Sequence, residues 1–395
     1  MKKMQINDGI YMDYAATTPM KKEVLEAMMP FLEGGFGNPS SFHSFGRDTK
    51  KVIDESREII ANAINASQKE IYFTGGGSEA DNWAIKGVAF SNRKKGNHII
   101  TSKIEHHAVL HTCEYLEKFH GFEVTYLDVD EDGMISLDEL KNAIKKETIL
   151  ISIMFANNEI GTVEPIEEIG KIAKENNVLF HTDAVQALGH LEIDVKEMNI
   201  DLMSITAHKL YGPKGIGALY IRQGIKLHNL IHGGAQEKRR RAGTENIVGI
   251  VGFAKACELA MSDLEESKKR LTTLRDKLMN GILENIPYSK LNGHRTKRLP
   301  NNVNISFEFI EGEGILLLLD HVKVAASSGS ACTSGSLDPS HVLMAIGLPH
   351  EKAHGSLRLT IGDMTKEEDI DFVIEKLPPI IEKLRSMSPL YENVK

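Results

Sequence analysis

Residues 178–215 read VLFHTDAVQALGHLEIDVKEMNIDLMSITAHKLYGPKG. Two short apolar runs stand in this stretch, one from Val178 and one from Asp201. Each ends on polar residues, Thr182-Asp183 in the first and Thr206-Ala207-His208-Lys209 in the second. Short β-rich runs bounded by turn signals read as buried strands. The segment between them is long enough for the crossover that parallel strands need, about a dozen residues or more.

The same rhythm extends outward. IYFT (71–74), HIITS (98–102), EVTYL (123–127) and ILISIMF (149–155) precede it, separated by helix-like segments such as EADNWAIKGVAF (79–90) and EEIGKIAKENN (167–177). This predicts an α/β fold, a mostly parallel sheet with helices on both faces. GALYI (217–221) departs from the pattern. Gly212, Pro213 and Gly215 precede it without a helix, so it reads as a strand turning back to make one antiparallel pair. After about Thr244 the texture changes: two long helical patterns (244–262 and 263–285), NVNISF (302–307), GEGILLLLD (312–320), SLRLTIG (356–362) and a charged terminal helix. A domain boundary is expected near residue 258, with the ligand crevice at the C-terminal ends of the parallel strands.

Composition narrows the function classes. The chain has 395 residues, 41% hydrophobic and 26% charged, which suits a folded globular protein with a large core. A net charge of −8 argues against nucleic acid as a direct partner. The run Lys238-Arg239-Arg240-Arg241 reads as a solvated loop or a local anion site. MKKMQINDGIYMDY at the start has no apolar run, so no signal peptide is expected, and ILLLL (315–319) is too short to span a membrane. The cysteines, Cys113, Cys257 and Cys332, are too few for a disulfide framework and fit reduced thiols in the cytoplasm. Cys113 and Cys257 sit in apolar helical patterns and read as core residues.

Several motifs carry chemistry. Lys209, at the end of a buried strand, is a candidate Schiff-base lysine; the competing reading is a solvated lysine at a loop mouth. Gly75-Gly76-Gly77-Ser78 between a strand and a helix suits an anion held by helix-start N–H groups, or a plain tight turn capped by Ser78. Asp183 could hold a pyridinium nitrogen protonated, or simply cap a helix. His107 and His111 at i, i+4 could be metal ligands, but no third zinc ligand of matching placement is evident. A flat imidazole against a planar cofactor, or a satisfied core histidine, is the other reading of His107. DVDEDGMISLDE (128–139) has the spacing of a calcium loop, yet a strand precedes it and Glu139 fits a helix cap with Ser136, so a βα turn is expected. Cys332 lies among small residues in ASSGSACTSGSLDPS (326–340), where a thiol is presented rather than packed.

Together, a phosphate cradle, a strand-end aspartate, a ring-stacking histidine and a strand-end lysine describe a pyridoxal 5'-phosphate site. At that point the sequence resembles the cysteine desulfurases that supply sulfur for iron–sulfur clusters. The resemblance runs through YMDYAATTP (11–19), GNPSSFH (37–43), GGGSEADN (75–82), EHHAVLHT (105–112), NNEIGT (157–162), HTDAVQ (181–186), TAHKLYGPKG (206–215), GGAQEKRRRAGT (233–244), SSGSACTSGSLDPSHVL (327–343) and GSLRLTIG (355–362). It implies a fold-type-I pyridoxal-phosphate transferase. Its large domain, residues 15–258, carries a mostly parallel seven-stranded sheet. Residues 1–14 and 259–395 form a smaller α+β domain. It also implies a homodimer with the active site at the subunit interface.

Carried over by motif position, Lys209 is the Schiff-base lysine, His107 stacks on the ring, Asp183 pairs with the ring nitrogen and Gln186 with the ring oxygen. Gly77, Ser78, Thr206 and His208 hold the phosphate, and Thr244 reaches it from the neighbouring subunit. Asn158 and Arg358 bind the substrate carboxylate, and Cys332 receives sulfur as a persulfide. No metal is implied. The expected partners are L-cysteine and a sulfur acceptor, either an iron–sulfur scaffold or a tRNA-thiolation enzyme. A selenocysteine lyase is the alternative that would share most of these residues.

Overall fold

The computed structural model describes residues 9–328 and 339–392. Among the described residues twelve strands carry the architecture: β1 (Ile10–Tyr11), β2 (Ile71–Thr74), β3 (His98–Ser102), β4 (Glu123–Leu127), β5 (Thr148–Ser152), β6 (Leu179–Asp183), β7 (Leu202–Thr206), β8 (Gly217–Ile221), β9 (Ser289–Leu291), β10 (Asn302–Phe307), β11 (Val324–Ala325) and β12 (Ser356–Thr360). Seven of them make one sheet in the order β2-β8-β7-β6-β5-β3-β4. β3, β5 and β7 are buried at every position, as continuous apolar runs covered on both faces should be. β4, at the edge, is exposed at its start.

The strands from β3 to β7 run parallel to one another. β8 is antiparallel to β7 and also to β2, so there are two antiparallel pairs where the sequence suggested one. The reason is that β2 precedes every crossover and enters at the edge, where β8 is its neighbour. The register of β8 fixes the site. Thr74 and Thr206, the last residues of β2 and β7, both pair with Gly217. A Cβ on Gly217 would lie 2.9 Å from the Cα of Gly76, so only glycine lets the two motifs approach this closely.

The helix Gly77–Asn92 leaves this junction and buries Ala80, Trp83, Ala84, Ile85 and Val88, an i, i+3, i+4 stripe packed on the sheet. Burying a side chain of the size of Ile85 contributes about 1.5–3 kcal/mol. That anchorage holds the helix N-terminus at the sheet's edge. The first of the two long helical patterns, expected from residue 244, starts at Ile247, capped by the Asn246 side chain accepting from Gly249 N at 3.0 Å, which leaves Thr244 in the preceding loop.

β12-β10-β9 form a separate antiparallel sheet, with its own core built from Met12 and residues between Leu271 and Ile381. β1 pairs in parallel with β11, and Asp13 bridges to Thr360. The start of the described chain is thereby tied to β12, and residues 15–17 are laid across the mouth of the large sheet. Cys113 and Cys257 are fully buried, as their apolar patterns predict. Ser136 caps the helix Leu137–Ala143, and Asp130 accepts two N–H groups of its own turn, which is the βα turn read from the calcium-like spacing. Among the described residues no helix is long and apolar enough to cross a membrane.

Candidate active site

A cavity of about 290 Å³ opens at the C-terminal ends of β6 and β7. Its lining includes Gly77, Ser78, Asp183, Gln186, Thr206, His208, Lys209, Asn158 and Arg358, so nine residues scattered through the sequence converge. Lys209 ends a short turn after β7 and donates from Nζ to the carbonyls of Ala15 and Ala16, the latter at 2.8 Å. Gln186 Nε2 shares the Ala15 carbonyl at 3.1 Å. Residues 15–17 thus hold the lysine and the glutamine at the rim.

Asp183 is buried, and its Oδ1 accepts the Val185 N–H at 2.9 Å. Burial raises its carboxyl above the ordinary range, while the Val185 N–H and the Lys209 charge oppose the rise. His208 Nδ1 lies 3.2 Å from Thr17 Oγ1. Burial first, then Lys209 and Lys214, lowers its imidazole to about 4, so it is a neutral hydrogen-bonding group at neutral pH.

Gly75, Gly76, Gly77 and Ser78 line an adjoining lobe with Thr206, His208 and Lys214. Gly76, at φ 154°, adopts a backbone conformation that side-chain-bearing residues rarely take, and it caps the helix start. A Cβ on Gly77 would stand 2.7 Å from Val185 Cγ2. Glu79 would load this anion cradle with negative charge, but Arg241 grips it at 2.8 and 3.0 Å, and its Oε2 also accepts the Gly75 N–H at 2.7 Å. The basic run thus supplies a charge-neutralising partner to the cradle, a role the sequence pattern alone did not single out.

Arg358, 2% exposed, directs one arm to Asp13 Oδ1 at 2.9 Å and another to the Asn158 carbonyl at 3.2 Å. Its Nε is buried without a partner. Thr244 is exposed and lines neither lobe. Cys332 lies outside the described residues.

His107 does not line the cavity; its neighbour His106 does. His106 caps the helix His107–His120 in extended conformation, accepting the Ala108 N–H at Nδ1, 3.1 Å. His107 is the first helical residue and turns away, stacking on His111 with centroids 4.8 Å apart and meeting His341 at 4.6 Å. The i, i+4 spacing of His107 and His111 already places those two on one helix face. Burial, then Lys209 and His111, keeps His106 below its ordinary range.

These residues fit pyridoxal phosphate. A helix start with a hydroxyl and a neutral imidazole suits the phosphate, a buried carboxylate suits the ring nitrogen, and a flat imidazole suits the ring face. The glycines leave the cradle open where a side chain would fill it, and the buried Nε of Arg358 has no partner.

Comparisons with known proteins agree. A family model described as Aminotransferase class-V matches residues 10–373. The chain is 62% identical over 390 residues to a protein named cysteine desulfurase IscS from Clostridium botulinum strain Hall, covering 98% of each. It is 62% identical over 384 residues to one of the same name from Methanosarcina thermophila, covering 97% of this chain and 95% of that protein. Among solved structures, a NifS-like protein superposes with a TM-score of 0.89 at 37% identity, over 95% of this chain and all of the other. SspA in complex with cysteine gives 0.79 at 42% identity, over 89% and 98% of the two chains. The chain belongs to the class-V aminotransferase family, within its cysteine desulfurases.

Proposed function

We propose that the protein is a pyridoxal-phosphate-dependent cysteine desulfurase that converts L-cysteine to L-alanine and keeps the sulfur as a persulfide on Cys332. The observation that carries the reading is one cavity with Lys209, Asp183 and the glycine cradle at the cofactor end and the buried Arg358 beside Asn158. When bound, pyridoxal phosphate supplies an aldehyde that captures the amino group and a ring that accepts an electron pair.

The chain's own residues do the rest. Gly77, Ser78, Thr206 and His208 hold the phosphate, and Thr244 of a second subunit completes it. Asp183 holds the ring nitrogen's proton, Gln186 meets the ring oxygen and His106 lies against the ring face. Arg358 and Asn158 orient the substrate carboxylate, a bidentate task that suits a guanidinium. Lys209 removes the α-proton and returns it. The Cys332 thiolate then forms an S–S bond to the substrate's sulfur as the Cβ–S bond breaks, and alanine leaves.

A cytoplasmic homodimer is part of this reading. Phe36, Phe42 and Phe45, at 78, 95 and 58% exposure, supply an apolar patch suited to a second copy. Residues 15–258 are read as one domain and residues 1–14 with 259–395 as the other, a reading supported by the core that gathers Met12 with residues between Leu271 and Ile381. The persulfide passes to a sulfur-acceptor protein.

The test is mass spectrometry after incubation with L-cysteine. Wild-type protein gains one sulfur atom on Cys332 while alanine accumulates. Cys332→Ser still binds cofactor and cysteine but releases no sulfide. Alanine accumulating with no sulfur on Cys332 would overturn the reading.

A further inference from the structure

Behind Asp183 the interior holds a second carboxyl group that the reaction above leaves unused. Asp81 is 1% exposed and lines the same cavity, although it sits on the otherwise apolar buried face of the helix Gly77–Asn92. Its Oδ1 has no hydrogen-bond partner and stands 3.7 Å from His181 Nε2. His181 is completely buried between two hydroxyls, with Nδ1 2.8 Å from Ser152 Oγ and Nε2 3.0 Å from Ser204 Oγ. Burial pushes this imidazole down to about 3, so it is neutral and brings Asp81 no positive charge.

Two carboxylates in one dry interior cannot both ionise without a steep cost. Their surroundings are unequal. Asp183 accepts the Val185 N–H and feels the Lys209 charge. Asp81 is raised first by its burial and then by the charge of Asp183, and only the nearby Ser204 hydroxyl opposes the rise. A proton entering the pair therefore settles on Asp81.

We propose that Asp81 is a positioning residue, the neutral acid of a two-carboxyl pair, which carries the pair's proton and leaves Asp183 a carboxylate toward the cofactor's ring nitrogen. This rests on the reading that pyridoxal phosphate occupies the cavity. In this role the carboxyl of Asp81 also gives the His181 ring on β6 and the Ser204 hydroxyl on β7 a polar neighbour in the dry interior. An apolar residue at 81 would remove it. A charged one would set a second negative charge behind Asp183 and drive a proton onto it.

The experiment compares Asp81→Asn and Asp81→Ala with the wild-type holoenzyme. The readouts are the dissociation constant of pyridoxal phosphate, the pH midpoint of its visible band, and infrared spectra of the cofactor-free protein. Asp81→Ala is expected to weaken cofactor binding about tenfold and to move the midpoint by about one pH unit. Asp81→Asn, a neutral mimic of the protonated acid, should stay within about threefold of wild type and hold the midpoint. The infrared spectrum at pH 7.5 should show the carbonyl stretch of a protonated carboxylic acid that Asp81→Asn removes. If Asn is as damaging as Ala, if Ala is silent, or if that band is missing, the proposal is overturned. Should Asp81→Ala fail to fold, Asp81→Asn and the infrared band decide alone. Wild-type protein that takes up no pyridoxal phosphate overturns the functional reading and the positioning role together. The infrared band, read without cofactor, tells that failure apart from a wrong proton assignment.

Discussion

The carboxylate of Asp13 lies 2.9 Å from a terminal nitrogen of Arg358, and the Asn158 carbonyl takes the other arm at 3.2 Å, so the guanidinium is fixed before any substrate arrives. Its Nε remains buried and unpartnered. A carboxylate that reaches it gains a charge-assisted bond without the cost of ordering a flexible side chain. Arg358→Lys keeps the charge and loses the fork. A lost bond to a charged group costs about 1.5–3 kcal/mol, so kcat/KM for cysteine should fall about 10- to 150-fold, mainly through KM. The visible band of the cofactor should be unchanged. A fall confined to kcat would show that Arg358 acts on something other than the substrate carboxylate.

His106 and His107 are neighbours in sequence and face different surroundings. His106 lines the cavity beside Lys209, and His107 packs on His111 and His341. His106→Ala should lower kcat by on the order of 10²-fold, the lower end of what a positioned acid–base group contributes, and should alter the cofactor's absorbance. His107→Ala should leave kcat/KM within about threefold. The opposite ranking would place the stacking ring at His107 after all.

That contrast shows where the sequence is legible. The parallel β/α rhythm predicts the sheet, and the polar residues at strand ends, Asp183 and Lys209, are found because strand ends in such sheets face the crevice. The His106–His107 junction is harder. Successive residues at a helix start point about 100° apart, so a one-residue choice decides which ring meets the cavity, and composition says nothing about it. Long-range partners are harder still. Arg241 reaches Glu79 across 162 positions and Asp13 reaches Arg358 across 345, and neither pairing leaves a periodic trace. Asp81 hides inside an apolar stripe, where its carboxyl reads as one irregularity of a buried helix.

The Glu79–Arg241 pair yields a charge-balance test. Both side chains are about one-fifth exposed, so solvent screens the pair and its worth is modest. Arg241→Gln leaves the Glu79 carboxylate facing the phosphate cradle and should weaken cofactor binding roughly five- to tenfold. Adding Glu79→Gln removes that charge while an amide oxygen still accepts the Gly75 N–H, and should recover most of the loss. Additive losses in the double variant, measured by cofactor titration, would mean that the two residues act separately on the cradle.

Glu105 offers a pH test beside His106. It is buried, its Oε1 accepts the Ser102 hydroxyl at 2.7 Å and the Met154 N–H at 2.9 Å, and its Oε2 has no partner. Burial pushes its carboxyl up to about 8 from an ordinary 4.5, against those two hydrogen bonds. The folded protein therefore keeps a proton that the unfolded chain gives up above pH 4.5. Below that pH the group is neutral in both states and costs nothing. As pH rises from 4.5 to about 8 the wild type loses stability, at about 1.4 kcal/mol per pH unit from this group, and the loss is complete above 8. Glu105→Gln keeps an amide in place of the neutral acid and does not titrate. Its stability relative to wild type should climb across that window and level off beyond it, as read by urea denaturation at pH 5, 6.5 and 8. The same variant should retain activity, because the acceptor for Met154 that fixes the turn before His106 is preserved. A relative stability that stays flat with pH would mean that Glu105 is ionised in the folded protein and that the His106 turn is held by a charge.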